Sequence, residues 1–296
     1  YRRQRQMCIR DRFDREHAEM VYINKLKQLS NDRANQQFYH LMLDNDGVLW
    51  LSSADEGVYC MNFPKKQFNL LSLSPQSAGQ ENYTIGVRAL FQSKSGDIWV
   101  GTRWQSVYRM DRNGVTKHVF STGDEHIGNV YHIMEDDKGN LWFSTKGDGL
   151  VKAVPDEKAA GGFRFKRYLH NLSDLSSISG NDVYFTYQDE RKRIWVGTLD
   201  GGLNLLCEEE EGKITFKNKY NGFKNYPTYG LYMEVRNMIE DKDGRMWVGT
   251  MDGLMSFKNN FASVEQIDFE TYRGANRVNY ADSDVYALYK DEFSQI

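Results

Sequence analysis

The chain has 296 residues, of which 40% are apolar and 14% aromatic, with 25 glycines against 4 prolines. That composition excludes a disordered chain and favours many short strands joined by tight turns, an all-β protein. A net charge of -3 supplies no positive field to gather phosphates, and the odd set Cys8, Cys60 and Cys207, without C-x-x-C spacing, excludes a disulfide framework and a cysteine metal cluster.

Residues 1–12 (YRRQRQMCIRDR) pack five arginines into twelve positions without strand alternation, and they are set aside as a non-native or disordered leader. No apolar run follows the arginines, so no secretory signal is read, and no window of about eighteen apolar residues offers a membrane span. Residues 13–37 read as the end of a preceding blade. From Phe38 to Ile296 the chain repeats itself around Trp50, Trp99, Trp142, Trp195 and Trp247, at separations of 49, 43, 53 and 52 residues. The anchors sit in LWLSS (49–53), IWVGT (98–102), LWFST (141–145), IWVGT (194–198) and MWVGT (246–250).

Each repeat predicts the same four strands. Twelve positions before the anchors stand Phe38, Val87, Val130, Val183 and Val235, which open a first strand. A turn follows, with Asp44, Asp136, Asp189 and Asp241 six before the anchor and Gly47, Gly96, Gly139 and Gly244 three before it. An Asp side chain there bonds the backbone two residues on, and the glycine supplies the left-handed conformation; Ser93 and Lys192 are the exceptions. The tryptophan strand leads out of this turn. A second turn ends at Gly57, Ser106, Gly149, Gly202 and Gly253 and leads to a third strand. The fourth strand is read in FNLLSL (68–73), TKHVFS (116–121), FRFKRYL (163–169), ITFKNKY (214–220) and IDFETY (267–272).

A four-stranded sheet buries little alone, and Ile98-Trp99-Val100 puts bulk on both faces, so neighbouring sheets must cover both. Radial stacking does this, and the fold expected is a β-propeller of about five blades with partial blades at both ends. The tryptophans are expected in the core between blades. Gly101, Ser144, Gly197 and Gly249, two residues after an anchor, are expected to leave room for the indole or for a close backbone approach. In the last segment Val285 and Asp291 fall twelve and six positions before a tryptophan that the template places directly after Ile296, so the chain is expected to be part of a longer protein.

The pattern V-x-x-I-x-x-D-x-x-G-x-[IL]-W-[VF]-[GS]-T-x-x-G-[GL], as in Val130 to Leu150 and Val235 to Leu254, resembles the two-component regulator propeller repeat. The segment LHNLSDLSSISGNDV (169–183) is similar to that family's connection between blades. The resemblance implies a periplasmic sensor region of a Bacteroidetes hybrid two-component system, with blades in seven-bladed rings, that recognises oligosaccharides, dimerises, and relays to a histidine kinase beyond a membrane helix. Kinase, receiver and DNA-binding regions are absent from this chain. The second repeat departs from the pattern with TRWQSV (102–107) in place of a glycine-rich turn, and the fourth with Arg191-Lys192-Arg193.

Catalysis has no visible seat. His17, His40, His118, His126, His132 and His170 form no H-x-x-x-H or H-E-x-x-H, and neither G-x-S-x-G nor G-x-x-x-x-G-K occurs. Asp44 with Asp46 and Asp241 with Asp243 lack the other ligands of a calcium loop, so they read as turn chemistry and no metal or cofactor is expected. Arg103 and Trp104 replace small turn residues between the second and third strands, on the propeller face that carries the connections and commonly binds ligands. An indole stacks on a sugar ring and a guanidinium pairs with a carboxylate or sulfate, so this pair heads the candidates for ligand binding, with Tyr83, Tyr226 and Tyr229 beside it. Two other functions compete with the sensor: an enzyme like the streptogramin lyases, which share such repeats, and a protein-interaction scaffold.

Overall fold

The computed structural model describes residues 11–14, 19–22, 38–43, 48–53, 57–62, 73, 86–103, 105–121, 127–208, 213–272 and 284–290. The chain divides into two compact units between Ser72 and Leu73. The first holds the antiparallel pair β1 (Asp11–Asp14) and β2 (Glu19–Tyr22), together with the antiparallel sheet β3 (Phe38–Leu43), β4 (Val48–Ser53) and β5 (Gly57–Asn62). β1 thus begins inside the stretch set aside as a leader. The fourth strand expected at 68–73 lies, apart from Leu73, outside the described residues.

The second unit contains four sheets, each an antiparallel meander in chain order. They are β6 (Val87–Gln92), β7 (Ile98–Thr102), β8 (Val107–Met110) and β9 (Thr116–Phe120), then β10 (Asn129–Glu135), β11 (Leu141–Lys146), β12 (Leu150–Pro155) and β13 (Phe163–Tyr168). The third has β14 (Val183–Gln188), β15 (Ile194–Thr198), β16 (Leu203–Glu208) and β17 (Ile214–Lys217), and the fourth has β18 (Val235–Glu240), β19 (Arg245–Thr250), β20 (Gly253–Lys258) and β21 (Glu270–Tyr272). These are propeller blades. First strands stand side by side, β6 against β10, β10 against β14 and β14 against β18. The last fourth strand is shorter than read: the backbone turns in a 3-10 loop at Val264–Gln266 before β21 begins at Glu270.

Three of the anchors fill the space between their own blade and the next. Trp99, Trp142 and Trp195 are buried. The Trp99 indole meets Phe143 and Phe163 of the following blade at centroid distances of 5.8 and 5.2 Å, and Trp195 meets Phe257 of its following blade at 5.1 Å. Trp142 shares a cluster with Val183, Ile194 and Val196. Trp247 differs: it is half-buried, with Tyr272 of its own blade 5.5 Å away. The side chain of Trp50 lies outside the described residues.

The recurring aspartate in the first turn does more than the sequence suggested. Asp136, Asp189 and Asp241 each accept the indole N–H of the tryptophan six residues on, at 2.8, 3.0 and 2.8 Å. Each also accepts the backbone N–H four residues on, and only Asp241 takes the N–H two residues on. Burial pushes the Asp241 carboxyl up, but the indole and the amides of Arg245 and Asp243 more than offset it and hold it below the usual carboxylate range. In the β6–β9 blade Ser93 is too short for this, and its hydroxyl bonds Asp97 O instead. The Trp99 indole nitrogen is left buried without a partner among the described residues. The residue at the position of Asn140, Arg193 and Arg245 is here Asp97, whose charge would repel a second carboxylate; Arg109 and Lys117 pair with it, each at 2.6 Å.

The small residues two after the anchors make room for something other than the indole. A Cβ on Gly101 would meet Val130 of the next blade at 2.8 Å, and one on Gly249 would meet the backbone oxygen of Val285 at 2.9 Å. Ser144 instead bonds Thr186 of the next blade at 2.8 Å. Gly197 and Gly249 also admit a residue of their own blade, Phe185 and Asn237. A second link between blades recurs at the turn end: the N–H groups of Lys94, Asp137 and Glu190 donate to Glu135, Gln188 and Glu240 of the following blade at 2.6, 2.8 and 2.9 Å.

Lys192 occupies the turn glycine's place and keeps its left-handed backbone, with φ 66. A side chain there costs about 1 kcal/mol relative to glycine. Lys192→Gly is therefore expected to raise stability by about 0.5–1 kcal/mol in urea denaturation, and a loss would show that the lysine side chain supports the turn.

Candidate functional site

The second-to-third-strand turns and the connections between blades lie at one end of the second unit, joined by backbone hydrogen bonds. Arg103 N–H donates to Gly86 O, Gly149 to Asn181 O, Leu199 to Asp182 O, Gly202 to Met233 O, and Met251 to Glu234 O, at 2.9 to 3.1 Å. The threonine closing each tryptophan strand holds the turn: Thr102, Thr145, Thr198 and Thr250 donate to the carbonyls of Ser106, Gly149, Gly202 and Gly253. Without glycine, the β7–β8 turn places Gln105 at φ 62, in the strained left-handed region.

At this end Arg103 is exposed, its stem lying over Gly86, where a Cβ would come within 2.9 Å of the arginine Cδ. Trp104 and Tyr83 lie outside the described residues. Tyr229 is 55% exposed in the β17–β18 connection; its hydroxyl pairs with Thr271 Oγ1 at 2.9 Å and its ring stands edge-on to Tyr232. Tyr226 is a correction: its ring is buried among Phe223 and Phe269, and its hydroxyl accepts Leu203 N–H and donates to Tyr232 O, both at 3.1 Å. Burial pushes its pKa up. Tyr226 braces the connection from within and presents no surface to a ligand. Arg103 and Tyr229 belong to different blade ends and do not meet.

A second set of residues escaped the sequence reading. Every first strand with described pairing is interrupted by a β-bulge at the same place, where one residue has no counterpart on the tryptophan strand. The extra residues are Tyr39, Arg88, Tyr131, Tyr184 and Arg236, eleven positions before each anchor. In the second unit their side chains stack across blades. The Arg88 guanidinium lies 4.7 Å over the Tyr131 ring, Tyr131 stacks on Tyr184 at 4.9 Å and 22°, and Arg236 lies 4.7 Å over Tyr184 and 5.2 Å over Tyr286. The signal was legible as a column holding only Tyr and Arg, directly after the leading Phe or Val.

The two arginines differ in electrostatics. Arg236 faces Asp284, with Nε 3.5 Å from Oδ1, and Glu234, pushed up by burial, is held partly in check by the same guanidinium. Arg88 is exposed, and neither it nor Arg103 faces a carboxylate among the described residues. One residue further along the strand, His132 Nδ1 accepts Thr186 N–H of the next blade at 3.3 Å, and burial lowers its pKa to about 4. The unfolded chain binds this proton near pH 6.5, so the stability present above that pH is lost as pH falls from about 6.5 toward about 4. A drop of about 2 kcal/mol between pH 7 and pH 5 is expected in urea melts, and His132→Phe should remove that part of the dependence.

An open recess of about 600 Å³ at the opposite end is lined by Arg191, Glu240, Asp241, Arg245 and Trp247. Two of its carboxylates already serve the turn and the neighbouring blade, Asp241 through Trp247 and Arg245, and Glu240 through Glu190 and Asn259. The connection end, where Arg88 and Arg103 face no carboxylate among the described residues, is the better candidate.

Residues 126–147, 177–200 and 230–252 match the model of the two component regulator propeller, each segment spanning one blade's first turn and anchor. Over 102 residues the chain is 32% identical to Histidine kinase P4 of Formosa agariphila, a match covering 34% of this chain and 7% of that protein. The extracellular domain of a hybrid two component system from B. thetaiotaomicron superposes with a TM-score of 0.50 at 21% identity, over 87% of this chain and 30% of that one. A virginiamycin B lyase from Staphylococcus aureus, solved with quinupristin, reaches 0.49 at 14% identity, over 82% of this chain and 71% of that one. The chain thus spans under a third of the histidine kinase and of the hybrid-system domain, and the superposition on that domain speaks to the propeller fold alone.

Proposed function

We propose that this chain, three of whose blades match the two component regulator propeller model, is the extracytoplasmic ligand-sensing region of a hybrid two-component sensor. The observation that carries the reading is the recurrence of that repeat in three successive blades. The local identity to a histidine kinase supports it. In this reading the region lies in the periplasm, is not itself catalytic, binds an oligosaccharide at the connection end, dimerises within the longer protein, and relays occupancy to a histidine kinase outside this chain. A propeller suits the task because its blades are rigid while its connections vary freely around one end.

The test is a thermal-shift screen of the chain against neutral and acidic oligosaccharides, with a parallel assay for conversion of quinupristin. A saturable rise in melting temperature with at least one sugar class, and no conversion of the antibiotic, is the expected outcome. Conversion of quinupristin would favour the lyase-like reading, and silence to every sugar would overturn the sensor reading.

A further inference from the structure

We infer that Arg88, Arg103, Tyr131 and Tyr184 form a binding site for an anionic oligosaccharide, one bearing carboxylate or sulfate groups. This rests on the sugar-sensing reading above and narrows it to a ligand class. A bulge interrupts a strand ladder and turns one side chain away from it, and here it recurs in every described first strand at the connection end. Stacking between blades accounts for part of the set: Tyr184 is covered by Tyr131 and by Arg236, and the Arg236 charge is balanced by Asp284. It does not account for Arg88, which is exposed, with one face on Tyr131.

Arg103 reinforces the assignment. It is exposed over Gly86, two residues before Arg88, so one blade end presents two guanidinium groups without a carboxylate partner among the described residues. Among the described residues the carboxylates at this end belong to other blades: Asp148 is tied to Arg167, while Asp182, Asp200, Glu234 and Asp284 follow from β14 onward. The hydroxyls of Tyr131 and Tyr184 have no hydrogen-bond partner among the described residues, and polyols supply such partners. A guanidinium fork matches a carboxylate or sulfate, and a phenol matches a sugar hydroxyl, so the four residues fit a sugar chain that carries anions.

Titration calorimetry of the full chain with oligogalacturonate, a chondroitin sulfate oligosaccharide and a neutral cello-oligosaccharide of equal length tests this. The site predicts binding of at least one anionic sugar and none of the neutral one, with the carboxylate and sulfate arms identifying the anion. Arg88→Gln and Arg103→Gln should each weaken binding about tenfold, with unchanged melting temperature, and Tyr131→Phe should weaken it less. Binding of the neutral sugar that both arginine variants leave intact would overturn this inference and spare the sensor reading. Binding of no sugar would overturn both.

Discussion

Replacing Trp195 by alanine is expected to destabilise the chain by about 3–5 kcal/mol, because the indole is fully buried against Phe257 and Phe261 of the next blade and its removal opens a cavity there. The same change also strips Asp189 of one of its donors. Arg103→Ala touches only an exposed stem and should stay within about 0.5 kcal/mol. Urea denaturation of the two variants separates a residue that joins blades from a residue that faces solvent. Equal losses would contradict that division.

Asp189→Ala is expected to cost about 3 kcal/mol without removing any apolar surface. The Asp189 side chain is fully buried and accepts Trp195 Nε1, Arg193 Nε and its backbone N–H, and Asn259 Nδ2 of the next blade. Truncation leaves these donors without their acceptor, and leaving buried polar groups unpaired costs more than the bonds themselves contribute. Ser93→Ala, at the equivalent place in the β6–β9 blade, removes one hydroxyl and should cost about 1 kcal/mol or less, because the Trp99 indole has no partner there to lose. A comparable loss at both positions would show that the aspartate serves the turn alone.

The blades were legible because the tryptophan, the turn residues and the leading valine recur at fixed offsets, and the first-strand starts at Val87, Val183 and Val235 fall where that template places them. The template is silent on partners across space. Asp136 and Trp142 lie six apart, on the two sides of one hairpin, and a turn reading already satisfied the aspartate, so the indole bond went unseen. Tyr226 was misread for a related reason. Connections are usually exposed, but Gly202 has no side chain, and the Tyr226 ring packs into the space this leaves. The bulge column at Arg88, Tyr131, Tyr184 and Arg236 was missed because periodicity marks which strand face is buried, and a bulged residue belongs to neither face.

Hydrogen exchange of the chain with and without a sugar that raises its melting temperature tests the sensing reading most directly, because it locates the bound ligand. The account predicts slowed exchange at the connection end, in the bulged openings of β6 and β10 and in the β7–β8 turn at Arg103 to Ser106. Protection confined to the opposite turns, around Ser93 to Asp97 and Asp136 to Asn140, would contradict it.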